Sequence, residues 1–128
     1  MHKQLTSLKR VLGLVALTLV FPALSQSQND YPSKPITMVI PFPPAGSTDV
    51  LGRLLAQAMS KSLQQTVLVE NTGGAGGTIG AARVSRLSAD GYNLLFHNMA
   101  HASAPALYTK LTYDPVTDFE PIGVVTEV

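Results

Sequence analysis

The sequence predicts an α/β fold, one lobe built on a parallel sheet with helices between successive strands. Three observations carry this reading. Short apolar runs rich in β-branched residues alternate with stretches of helical apolar spacing. Glycine, proline and asparagine signals separate them. The order strand, loop, helix then recurs, and such alternation requires parallel strands joined by right-handed crossovers.

The first run, PITMVIPF (residues 35–42), reads as a strand buried on both faces. A loop of Pro43, Pro44, Ala45, Gly46 and Ser47 follows. Residues 48–63 space Val50, Leu51, Leu54, Leu55, Ala58 and Met59 as a helix would, and Ser47, Thr48 or Asp49 is placed to cap its start. TVLVE (66–70) is a second strand, residues 71–77 a glycine-rich turn, and residues 78–87 a second helix carrying Ile79, Ala82, Arg86 and Leu87. After the Asp90-Gly91 turn, YNLLF (92–96) is a third strand. Residues 97–102 are expected as a loop, and residues 103–108 as a short helix with Pro105 in its first turn. Residues 114–118 make a polar connection, and PIGVVTEV (121–128) reads as the start of a fourth strand.

Ahead of this lobe, residues 1–25 read as a cleavable secretory signal peptide. Lys3, Lys9 and Arg10 open it, VLGLVALTLVF is an uncharged run, Pro22 breaks it, and Ala23 and Ser25 put small residues before the cut. The uncharged run is well short of the ~20 apolar residues that a membrane span needs. The expected destination is the periplasm, as a free soluble monomer. The chain has no cysteine, which excludes a lipid anchor at this end and any disulfide. The formal charge of +1 belongs to the signal, because residues 26–128 hold six basic and eight acidic side chains, a net of −2. Without a basic stripe interleaved with aromatics, nucleic acid is not expected as a partner. Residues 26–128 suffice for one small domain or one lobe of a larger protein.

The strand ends and helix starts fall on one edge of the sheet, where open α/β sheets bind ligands. Helix starts offer unpaired N–H groups and a partial positive charge, which favour an anion. Ala45, Gly46 and Ser47 precede the first helix, and Gly73, Gly74, Gly76 and Gly77 the second, while Ser47 and Thr48 add hydroxyl donors. The pattern allows a small carboxylate held by backbone and hydroxyls, and equally allows ordinary βα turns. A dinucleotide site fits poorly, since GAGGTIG places its last glycine one position late for G-x-G-x-x-G. No catalytic set is evident. Ser47 in AGSTD lacks the second glycine of a nucleophile elbow, and His97 and His101 have no third ligand for a metal. Asp49 reads either as a general base or as an acid favoured by the helix start. Tyr108 and Tyr113 read as packing residues. No cofactor is expected.

The stretches YPSKPITMVIPFPPAGSTD, VENTGGAGGTIGAARVSRLSADGYNLLF and ALYTKLTYDPVTDFEPIG occur here in one order and resemble the Bug family. These are the extracytoplasmic, TctC-type solute receptors of tripartite tricarboxylate transporters. The resemblance runs from Tyr31 to the end. It implies a two-lobed, type II-like periplasmic binding protein that closes around a small organic acid and hands it to membrane permease subunits. It implies that residues 42–49, among them Phe42, Ala45, Gly46, Ser47, Thr48 and Asp49, hold one carboxylate together with Gly76, Gly77 and Thr78. His101 and Ala102 would line the same cleft. Ala45 stands where the family often has glycine, and Thr72-Gly73 replace an Arg-Pro pair, which loosens the second turn. Family members are more than twice this long, so the resemblance implies that residues 26–128 are the first part of lobe 1, with the second lobe missing. The competing expectations are a remnant without function of its own, and a small α/β hydrolytic enzyme.

Overall fold

The ITMVI segment forms β1 (Ile36–Ile40), the middle strand of a three-stranded sheet. The computed structural model describes residues 31–126, so the expected export segment lies outside the described residues. β2 (Val67–Asn71) and β3 (Asn93–Leu95) flank β1, both parallel to it, in the order β2-β1-β3. The register sets Ile36 against Val67 and Met38 against Leu94. Ile36, Met38, Val39 and Ile40 are at most 1% exposed, as a strand covered on both faces demands.

β1 runs through α1 (Ser47–Leu63) to β2 on one side. β2 then runs through a 3-10 turn (Ala75–Gly77) and α2 (Thr78–Val84) back across β1 to β3. Right-handed crossovers taken in opposite directions place α1 and α2 on opposite faces of the sheet. On one face Ile36, Met38 and Ile40 gather with Ala56 and Val67, flanked by Leu55, Met59 and Phe96. On the other, Gly80 of α2 lies against Pro41, where a Cβ on the glycine would stand 2.6 Å from Pro41 Cβ. The turn of strand order on either side of β1 is a topological switch point, and it opens at the carboxyl ends of β1 and β3.

Four local expectations are corrected. First, α1 presents Asp49, Gly52 and Ala56 to the sheet, and leaves Val50, Leu51 and Leu54 exposed. Gly52 decides this face, because a Cβ there would fall 2.5 Å from Ile40 Cδ1 and 2.9 Å from Phe96 Cδ1, so the helix backbone itself seats on the sheet. Second, α2 ends at Val84, and bonds from Arg86 N to Arg83 O and from Leu87 N to Val84 O tighten the chain beyond it. Third, the last helix, α3 (Ala100–Leu107), starts three residues before its expected position, so His101 and Ala102 are helical and Pro105 sits in the second turn. The Asn98 side chain supports the early start, its Oδ1 accepting the Ala100 N–H at 3.0 Å. Fourth, residues 121–126 form no strand among the described residues, and Ile122 and Val124 are exposed. β-propensity does not make a strand where no ladder partner runs alongside.

Candidate functional site

Three loops leave the carboxyl ends of the strands and meet at one place. The first, between β1 and α1, is pinned from below by Asp49. This residue is 2% exposed. Its Oδ2 accepts the Ala45 N–H at 2.8 Å and Arg53 Nε at 2.9 Å, and its Oδ1 accepts Asn71 Nδ2 at 2.8 Å. Asn71 Nδ2 also donates to Phe42 O at 3.0 Å, and Arg53 Nη2 donates to Asn71 Oδ1 at 3.0 Å. One carboxylate thus ties the loop, the first turn of α1 and the end of β2.

Those bonds, Arg53's foremost and then those of Asn71 and Ala45, lower the Asp49 pKa from 3.8 to about 2. A carboxyl depressed by folding stabilises the fold above its unfolded pKa and loses that contribution as pH falls through the folded one. The loop is therefore expected to stay closed at pH 5 and to release as pH drops from 3.8 toward about 2. Amide exchange at Ala45, followed by NMR against pH, checks this. Asp49→Asn is expected to exchange fast at every pH, and an Ala45 amide protected equally in both proteins contradicts the assignment.

The second loop reaches the first through Gly77. A Cβ at Gly77 would lie 2.5 Å from His97 Nε2 and 3.3 Å from Phe42 Cζ. The third loop supplies His97, whose ring meets Phe42 edge-on at 5.1 Å between centroids. Burial, aided by the neighbouring His101, pushes the His97 pKa below its ordinary value and favours the neutral ring. The Asn98 N–H donates to His97 Nδ1 at 2.9 Å. Nδ1 also lies 3.1 Å from the Asn98 carbonyl oxygen, and Nε2 is the nitrogen nearest Gly77.

Residues from Phe42 through Thr48, with Asn98, line an open concavity of about 470 Å³. The first turn of α1 ends there. Its leading N–H groups have no partner within the helix, and its dipole presents positive charge. The Ser47 and Thr48 hydroxyls stand beside those groups. Such a surface grips an anion by backbone and hydroxyl donors, without a charged side chain.

The residues that the sequence singled out divide into five groups. Phe42, Ala45, Gly46, Ser47 and Thr48 form the wall. Asp49 lies beneath it with both oxygens engaged. Gly76, Gly77 and Thr78 stand at the neighbouring helix start, where Thr78 Oγ1 donates to Ala75 O at 2.9 Å. His101 lies outside the lining, its Nε2 donating to Pro115 O at 3.1 Å, while its ring packs on His97 at 5.0 Å between centroids, stacks on Tyr113 and meets Phe119 edge-on. Ala102 is exposed on α3 outside the lining. Sequence reasoning missed Asn98 as part of the wall. Its signal was an asparagine two residues ahead of a helical segment, the pattern of a helix-starting cap. Among the described residues no group of three His, Cys, Asp or Glu side chains is gathered that could hold a metal ion.

Residues 51–128 match the family described as tripartite tricarboxylate transporter family receptor. The chain belongs to this family. It is 44% identical over 119 residues to the UPF0065 protein in the TAR-I ttuE-ttuC' intergenic region of Agrobacterium vitis, covering 93% of this chain and 34% of that protein. It is 40% identical over 129 residues to protein BugT of Bordetella pertussis, covering 97% of this chain and 38% of that one. The chain thus spans little more than a third of the length of the curated relatives it matches. Among solved structures, the periplasmic binding protein BugD superposes with a TM-score of 0.70 at 49% identity, over 73% of this chain and 31% of that one. MatC from Rhodopseudomonas palustris with bound malate superposes with a TM-score of 0.66 at 40% identity, over 71% and 31%. A second R. palustris protein, solved with adipate, gives 0.66 at 36% identity, over 69% and 30%. These likenesses agree with the parallel α/β sheet, and the family agrees with the one that the sequence motifs resemble.

Proposed function

We propose that this chain supplies the carboxylate-gripping wall of a periplasmic solute receptor, which delivers a small dicarboxylate or tricarboxylate to the permease subunits of a tripartite transporter. The observation that carries the reading is the helix start at Ser47 and Thr48, opening into the concavity between the first and third loops. Two solved relatives carrying dicarboxylates, malate and adipate, support this chemical class. Since residues 26–128 bear a net charge of −2, attraction of an anion is local, exerted by N–H groups and hydroxyls at the helix start. The solute is bound and released unchanged by a monomer, and the export segment directs the protein to the periplasm.

Titration of the isotopically labelled chain with malate, adipate and citrate tests this. Amide shifts are expected to cluster at residues 45–49 and 76–78 and to saturate, while 1,6-hexanediol, which lacks both carboxylates of adipate, leaves them unmoved. Shifts elsewhere, or equal shifts with the diol, sink the proposal.

A further inference from the structure

The third loop contributes more than a wall to the concavity. Every polar atom of Asn98 has a defined partner. Its backbone N–H donates to His97 Nδ1 at 2.9 Å, and its backbone carbonyl accepts the His101 N–H at 3.0 Å. Its side-chain oxygen accepts the Ala100 N–H at 3.0 Å. That last bond settles which way the amide faces, because a backbone N–H needs an acceptor and the NH₂ group offers none. The NH₂ group is thereby left to Thr48, and Nδ2 donates to Thr48 Oγ1 at 3.3 Å.

A hydroxyl has one proton and two lone pairs. With one lone pair of Thr48 Oγ1 taken by Asn98 Nδ2, the hydroxyl proton cannot point back at the amide, and Thr48 becomes an outward donor. Thr48 lines the concavity in the first turn of α1, beside the leading N–H groups. We infer that Asn98 is a positioning residue that turns the Thr48 hydroxyl proton away from the amide and so frees it to donate to a carboxylate oxygen of the solute. The inference rests on the carboxylate reading of this concavity. It adds to that reading a residue from a different loop that orients one of the donors to the solute.

Asn98 also starts α3, so a simple loss of binding on its removal does not separate the two roles. A cycle with Thr48 does. With adipate as the probe, Asn98→Ala is expected to weaken binding about fivefold, the worth of one oriented hydrogen bond. Thr48→Val is expected to weaken it by a similar factor. In the Thr48→Val background, Asn98→Ala is expected to change nothing further, because no hydroxyl remains to be set. Thr48→Ser restores the hydroxyl and the sensitivity to Asn98→Ala. Asn98→Asp retains the oxygen that starts α3, yet its second oxygen accepts the Thr48 proton and turns the donor away. It is expected to weaken adipate more than Asn98→Ala does, with the melting temperature of the wild-type chain. An equal loss on Asn98→Ala with and without the Thr48 hydroxyl, or adipate binding unaltered by Asn98→Ala, overturns the positioning role while leaving the carboxylate site standing. No adipate binding by the wild-type chain overturns both.

Discussion

Gly80→Ala is expected to destabilise the chain by about 2 kcal/mol, although the same change in an ordinary helix is stabilising. The helix-propensity gain from glycine to alanine is about 1 kcal/mol. Against it stands the seat of α2 on the sheet. The added Cβ would lie 2.6 Å from Pro41 Cβ, 2.7 Å from the Thr72 carbonyl oxygen and 3.1 Å from Pro41 Cα. These are backbone and ring atoms, so no side chain can rotate out of the way. The helix must lift, and overpacking of this kind costs about 3 kcal/mol at the upper end of its usual range. The net loss is read from the urea midpoint at unchanged slope. Gly123→Ala is the matched control, since nothing lies within 4 Å of that position, and its effect is expected within about 0.5 kcal/mol of zero. A neutral or stabilising Gly80→Ala means that α2 does not rest on Pro41. The same lift reaches the concavity, because α2 begins at Thr78, directly after Gly77.

Close approaches of this kind explain what the sequence could and could not tell. The alternation of strands and helices was legible because β1 is covered on both faces and reads as an unbroken apolar run, and the glycine-rich turn marked the second helix start. The buried face of α1 was legible only in part. Of the six apolar residues at helical spacing, Leu55 and Met59 do pack on the core, but Val50, Leu51 and Leu54 stay exposed, and the sheet takes the side of the helix where Gly52 lets the backbone in. Periodicity records where apolar residues are, not how near two backbones come. Asp49 was equally ambiguous, an acid at a helix start being favoured whether it faces solute or protein. Only the placement of Ala45, Arg53 and Asn71 around it assigns it to the loop. Asn98 was hidden because its partner, Thr48, lies fifty residues away in sequence. The apolar alternation of residues 121–126 marked a strand-forming segment, but a ladder depends on a neighbour that propensity does not encode.

Gly77→Ala carries the second large effect, and it falls on both stability and binding. Gly77 has φ +94°, outside the range that an L-residue adopts at no cost. The backbone penalty for alanine in left-handed space is about 1–2 kcal/mol. The new Cβ also lies 2.5 Å from His97 Nε2 and 2.9 Å from Cε1. Unlike Pro41 and the Thr72 carbonyl, an imidazole can swing aside, but doing so breaks its edge contact with Phe42 and its bond from the Asn98 N–H. The displaced ring then disturbs the two residues that frame the concavity, and malate binding is expected to fall about tenfold, worth about 1.4 kcal/mol. His97→Ala separates the two causes. In the double variant the clash is gone and only the backbone penalty remains, so its loss of stability should be smaller than the sum of the single losses, the coupling expected of residues in contact. Losses that add in full show that Gly77 and His97 do not touch, and the meeting of the three loops would then have to be placed elsewhere. A double variant that regains stability but not malate binding assigns His97 itself, rather than the space it fills, to the integrity of the solute wall.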